Sequence, residues 1–179
     1  YHSWGGYWCG MCISIDQSYA DVNVVGENVG GLIATIDQTY VRNSYAKGDV
    51  SGNDYVGGLV GHNFHSAISD SYAVGKVQGQ TANVGGLTGV NNGSLLNGGH
   101  FDSQTTGQPG GNTTAEMKQQ ATFSGWDFNG VWRIVEGSSY PILRALTQSK
   151  ITLTAAARDV VKVYNKVPWF GGGAVDYSG

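Results

Sequence analysis

Two cysteines and four histidines are the first residues to weigh for chemistry. Trp8-Cys9-Gly10-Met11-Cys12 has the spacing of a thiol–disulfide redox motif. That chemistry needs a strand-to-helix turn in a βαβ setting, which lowers the pKa of one thiol. Here the pair sits in a glycine-rich coil, so the expected role is a local Cys9–Cys12 disulfide that braces a turn. Zinc would require two further ligands, and no second cysteine pair exists. His62 and His65 repeat the same spacing on the equivalent turn, with His2 and His100 as remote additions, and they read as exposed turn histidines. None of the four lies in a pattern with a serine nucleophile or on a metalloprotease helix. Asp16, Asp21, Asp37, Asp49, Asp54 and Asp70 recur near strand-like runs, but the nonapeptide of calcium-binding β-rolls is absent. Asp21 and Asp49 could stack as a carboxylate pair for sugar hydrolysis. The third copy carries Val74 and Lys76 at those positions, so no converging acid–base set forms. The expectation is therefore no catalytic residue, no metal site and no cofactor.

These residues are positioned by a repeat. Ser18-Tyr19-Ala20, Ser44-Tyr45-Ala46 and Ser71-Tyr72-Ala73 each open a short run that leads to Val29-Gly30-Gly31-Leu32, Val56-Gly57-Gly58-Leu59 or Val84-Gly85-Gly86-Leu87. A fixed period in this range marks a stacked architecture. After each tyrosine one alternate set is small and apolar: Ala20, Val22, Val24; Ala46, Gly48, Val50; Ala73, Gly75, Val77. The other set carries the tyrosines and most of the charges, as in Asp21, Lys47, Asp49 and Lys76. With a strand period of two, the first set points inward and the second outward. Leu32, Leu59, Leu87 and Ile15, Val41, Ile68 form two further inward columns. A helix is excluded, since each interior glycine would cost about 1 kcal/mol and the apolar spacing is two. The fold class is all-β: a parallel β-solenoid of three to four coils of about 27 residues, with glycines supplying positive φ at the corners. A propeller is the rival, but the period is short for four strands per blade.

Equivalent tyrosines on successive coils should stack. Tyr19, Tyr45 and Tyr72 are thus a candidate outward ladder, either purely stabilising or able to contact a glycan. Thr113 and Glu116 predict a capping box for a short helix over 115–121. Trp126, Phe128, Trp132 and Ile134 are expected to cover the open end of the last coil, because an uncovered end is both an apolar face and an unpaired strand edge.

Composition narrows the function class. The net charge is −3 and only 13% of residues are charged, so no basic stripe exists for nucleic acid. No apolar run reaches membrane-spanning length. Twenty-nine glycines without a strict triplet period exclude collagen, and 40% apolar residues support a folded core. The chain begins with Tyr1 inside a repeat and ends at Gly179, so it reads as a piece of a longer protein.

The alternation of Val-Gly-Gly-Leu-Val-Gly with Asp-Ser-Tyr-Ala-Val-Gly-Lys-Val resembles the GLUG repeat. Leu59-Val60-Gly61 and Leu87-Thr88-Gly89 carry its core, Leu32-Ile33-Ala34 departs by one residue, and the first copy has Tyr7-Trp8-Cys9. The segment from Phe101 to Leu143 looks like the region that closes such arrays in filamentous-haemagglutinin-type adhesins. Lys162-Val163-Tyr164 and Gly171-Gly172-Gly173 resemble the start of an MBG-type β module. The resemblance implies a repeat solenoid over 1–100, a C-terminal cap with a short helix over 101–146, and a partial module over 147–179. It also implies a secreted or surface-exposed bacterial adhesin segment, non-enzymatic and without membrane insertion, with host glycan or protein or sister molecules as partners. The alternatives are a self-assembling filament module joined by strand addition and a non-catalytic accessory region of a secreted peptidase or glycosidase.

Overall fold

A computed structural model describes residues 13–148. Cys9, Cys12, His2, the first repeat copy and the segment from 149 onward lie outside the described residues. The chain winds as a parallel β-solenoid of about three turns, and every coil runs through the same succession of short strands. The first coil holds β1 (Ile13–Asp16), β2 (Tyr19–Ala20), β3 (Val24–Gly26), β4 (Val29–Gly30) and β5 (Ile33–Asp37). The second holds β6 (Thr39–Arg42), β7 (Tyr45–Ala46), β8 (Val50–Gly52), β9 (Val56–Gly57) and β10 (Val60–Phe64). In the third, β11 (Ala67–Ala73) spans the first two positions, followed by β12 (Val77–Gly79), β13 (Val84–Gly85) and β14 (Thr88–Asn92); β15 (Leu95–Phe101) begins another pass.

Each strand pairs in parallel with its equivalent one coil away. Ile15 faces Val41, Val41 faces Ile68 and Ile68 faces Leu96. Tyr19, Tyr45 and Tyr72 share one register, as do Val24, Val50 and Val77. The two expected inward columns meet in one core, where Ile15, Val41 and Ile68 pack with Leu32, Leu59 and Leu87. The valines of the β3–β8–β12 and β4–β9–β13 faces form a second, separate core. The solenoid is thus flattened into two apolar compartments rather than one thin bore.

The corners depart from expectation in a way that has a physical cause. Positive φ is carried mostly by residues other than glycine: Gln17, Asn43 and Asp70 in one column, Gln38 and His65 in another, with Gly98 and Gly93 continuing them. After each such corner a hydroxyl takes over the ladder. The Ser18 N–H donates to Ser44 Oγ at 3.1 Å, and the Ser44 N–H donates to Ser71 Oγ at 3.1 Å. Ser44 and Ser71 in turn donate to the carbonyls of Arg42 and Ser69. The second corner repeats this with Thr39, Ser66 and Ser94. The serine of Ser-Tyr-Ala therefore supplies, from its hydroxyl, the acceptor for the serine N–H of the coil before, while the serine carbonyls stay in the backbone ladder.

The glycine pairs serve close approach. A Cβ at Gly57 would overlap the Val60 carbonyl oxygen, and one at Gly58 would overlap that of Gly86. Gly61, the last glycine of the GLUG core, would press a Cβ against the carbonyls of Ala34, Val29 and Tyr55. Ala34 can depart from glycine because it is exposed on the first coil.

Between the third and fourth strand of each coil the turn grows by one residue per coil: Glu27–Asn28, then Asn53–Tyr55, then Gln80–Asn83. Register offsets on the two sides of it rise accordingly, from Val24↔Val50 to Val29↔Val56 and from Val77↔Val50 to Val84↔Val56. All other pairings keep step.

Candidate functional site

The tyrosine column forms as expected. Tyr19 and Tyr45 stack with ring centroids 5.3 Å apart, and Tyr45 and Tyr72 with 5.1 Å. It is not an open outward surface, and this corrects the expected binding ladder. Tyr19 is 48% exposed, but Tyr45 is only 3% exposed and Tyr72 is fully buried. The cover is the segment after the last coil: Trp132 lies against both Tyr45 and Tyr72, Trp126 and Tyr140 lie against Tyr72, and the Tyr72 hydroxyl donates to the Pro141 carbonyl at 2.6 Å. Burial first, then the neighbouring Tyr19 and Asp21, push the Tyr45 hydroxyl up to about 12. Burial pushes Tyr72 well above its ordinary value. Neither of these two phenols ionises at neutral pH, so neither offers a base.

The covering segment also differs from an end cap. Trp126 and Trp132 join the tyrosine cluster, with Phe128 and Ile134 packed against it, while Leu95 and Leu96 on β15 stay 50% and 45% exposed. The cause is a latch at Asp102. This residue is fully buried; its Oδ1 accepts the N–H groups of Gln104 and Thr105, and its Oδ2 accepts the hydroxyls of Thr114 and Tyr140. Burial opposes its charge, but these four hydrogen bonds outweigh it and hold the carboxyl below the usual carboxylate range. Tyr140 is pushed up to about 12 by burial and by donating to Asp102. One turn of helix, α1 (Ser103–Thr106), starts from this N-cap and ends at Gly107. The capping box at Thr113 and Glu116 forms in both directions. It opens two 3₁₀ turns, Glu116–Lys118 and Gln120–Thr122, rather than one helix, because Gln119 between them is extended. A two-stranded antiparallel ribbon, β16 (Trp132–Arg133) with β17 (Ile142–Leu143), then returns the chain to the tyrosine face. The one-turn α2 (Ala145–Gln148) comes last.

His65 is exposed at the corner after β10, as expected, whereas His62 lies on β10 and is half-buried. His62 stacks on Tyr55 at 4.8 Å, lies 5.9 Å from Phe64, and its Nε2 is 3.2 Å from Asn92 Nδ2. His65 lies 3.8 Å from the Phe64 ring centroid, with its Nδ1 3.8 Å from Asp37 Oδ1. Asn63 between them points inward and is buried, so His62 and Phe64 point out from the β5–β10–β14 sheet. Tyr55, His62, Phe64 and His65 thus make an aromatic row across one coil. Sequence reasoning noted the histidines but missed the row, since it searched for residues that recur. The usable signal is the reverse: positions where a ring occurs in one coil only. Among the described residues no group of three or more His, Cys, Asp or Glu could hold a metal ion. Of the candidate carboxylates Asp21 and Asp49, Asp49 accepts the Lys76 N–H and belongs to an exposed polar ladder with Asn23.

The GLUG motif matches residues 52–78, the stretch from the end of β8 into β12. A relative from Evansella cellulosilytica, described as "Putative Gly-rich membrane protein", is 43% identical over 127 residues. That match covers 65% of this chain but 12% of the relative, so the chain spans a small part of the relative's length. No solved structure matches. Among the described residues no helix is long and apolar enough to cross a membrane.

Proposed function

We propose that this chain is a stiff, non-enzymatic display segment of a secreted or surface-exposed bacterial adhesin. The observation that carries the reading is the parallel pairing of equivalent strands from coil to coil on every face of the described coils, with side-chain columns running along them. A rod held by repeated backbone pairing keeps the domains at its two ends a set distance apart, and its outward positions are free to vary. The GLUG motif and the relative's printed description support a surface role; adhesion itself is the proposal. The test places residues 1–179 between a bacterial surface anchor and a binding domain of known target. Exchanging the segment for a glycine–serine linker of equal residue number should lower capture of target-coated beads under flow at least threefold. Equal capture would sink the spacer reading.

A second reading, self-assembly by strand addition, is favoured by exposed Ile13, Val22 and Val25 on the first coil and Leu95 and Leu96 on β15. Sedimentation across concentration separates the two. A constant monomer keeps the rod as a spacer, and concentration-dependent growth makes its ends the functional surface.

A further inference from the structure

The row Tyr55–His62–Phe64–His65 has no counterpart in the neighbouring coils. At the Phe64 register the adjacent strands carry Asp37 and Asn92, and at the His62 register Thr35 and Val90. Asn28 accepts the Tyr55 N–H from the coil before. Columns of like residues follow from stacking; a row confined to one coil does not, although His62 and His65 also reach Asn92 and Asp37 on the coils to either side. We propose that this row is a binding site for a linear, neutral polysaccharide chain.

The chemistry selects the occupant. A sugar ring offers an apolar C–H face and a rim of hydroxyls. The row offers aromatic surface one ring wide, bordered by the amides of Asn28 and Asn92, the Thr35 hydroxyl and the Asp37 carboxylate, which are donors and acceptors for that rim. A protein partner needs about 800 Å² per side with an apolar centre, whereas this row is flanked by Asp37, Asn92 and Thr35. The strands β5, β10 and β14 contain no Lys or Arg, and Asp37 adds negative charge, so an anionic glycan is disfavoured. His62 and Phe64 lie along β10, with Tyr55 in the turn before β9 and His65 just past the strand end, so the row extends over several rings and suits an extended chain rather than a single sugar. The site rests on the display reading only for where it is presented. Binding in solution needs no anchor, so failure here would leave the spacer role standing.

The test is affinity electrophoresis of the full 179-residue chain in gels containing hydroxyethylcellulose, laminarin, xylan, galactomannan or dextran. Retardation in at least one gel is expected. Replacing Tyr55→Asn, His62→Thr and Phe64→Asn together gives each position a residue that an adjacent coil already carries in that column, so the solenoid should persist by circular dichroism. That variant should bind at least tenfold more weakly, and Phe64→Asn alone should show a smaller loss in the same gel. Tyr19→Ala should migrate as the unaltered chain does. Free migration of the unaltered chain in all five gels, or equal retardation of the row variants, would overturn the proposal. A loss on Tyr19→Ala as large as that on the row would overturn it too.

Discussion

The molecule uses aromatic rings in two directions. Along the coil axis, Tyr19, Tyr45 and Tyr72 stack on one another, and Tyr45 and Tyr72 disappear under Trp126 and Trp132. Across the axis, Tyr55, His62, Phe64 and His65 run over a single coil between polar neighbours. The first set repeats with the fold and is stabilised by it. The second is carried by one coil, and its rings meet the neighbouring coils through side chains, His62 at Asn92 and His65 at Asp37. Rings that recur at the repeat period are held by one another, whereas rings that occur once need either a packed cover, as Trp126 and Trp132 have, or an occupant of the kind proposed for the row.

The largest effect should come from breaking the column where it is deepest. Tyr72→Ala removes a fully buried ring and its hydrogen bond to Pro141, which should cost about 4 kcal/mol. Tyr19→Ala removes a half-exposed ring with one stacked neighbour, worth about 1 kcal/mol. Urea midpoints of the two variants measure the gradient, and equal losses would mean that the covering segment adds nothing.

The latch comes next. Asp102→Ala leaves two backbone N–H groups and two hydroxyls without their acceptor, for a loss of about 3 kcal/mol. The folded carboxyl lies below its ordinary value, so its contribution is complete above the unfolded pKa of about 3.9 and fades as pH falls through the folded one. Tryptophan emission should shift to the red in that acid window as Trp126 and Trp132 leave the tyrosine face. In Asp102→Asn that acid transition should flatten. An unchanged acid profile would remove Asp102 from the account.

The smallest effect is expected at the row. The triple replacement to neighbouring-coil residues removes one stacked pair and the His62–Asn92 contact, so it should change stability by about 1 kcal/mol. A loss of several times that amount in the same urea series would make the row structural and erase the contrast with the column.

Much of the column was legible in the sequence, because stacking demands the same residue type at the same place. Leu59, Ile68, Ala46 and Val50 could be assigned inward from alternation alone, and the tyrosine stack followed from the period. The burial of Tyr45 and Tyr72 was not legible. It depends on Asp102 turning the chain after the last coil back onto that face, a contact between residues far apart in sequence that leaves no periodic trace. The role of the glycines was also misread. At the corners positive φ falls on glycine only at Gly93 and Gly98 and otherwise on Gln17, Gln38, Asn43, His65 and Asp70, whose neighbouring hydroxyls and ladders over-determine the turn, while Gly57 and Gly58 stand where a carbonyl leaves no room for a Cβ. The row escaped notice because periodic reading discards single-copy positions.

The turn that lengthens from Glu27–Asn28 to Gln80–Asn83 has a consequence for how such a gene can change. An added codon there is absorbed outside the wall, so the strands on both sides keep their partners and both apolar compartments stay filled. That corner is where length can drift cheaply while the rest of the coil is held to count. A longer array built this way would carry a vertical series of unequal loops at the strand spacing of about 4.8 Å, a graded edge on an otherwise uniform rod. Peptide grafts between Asn53 and Tyr55 would exploit the same tolerance.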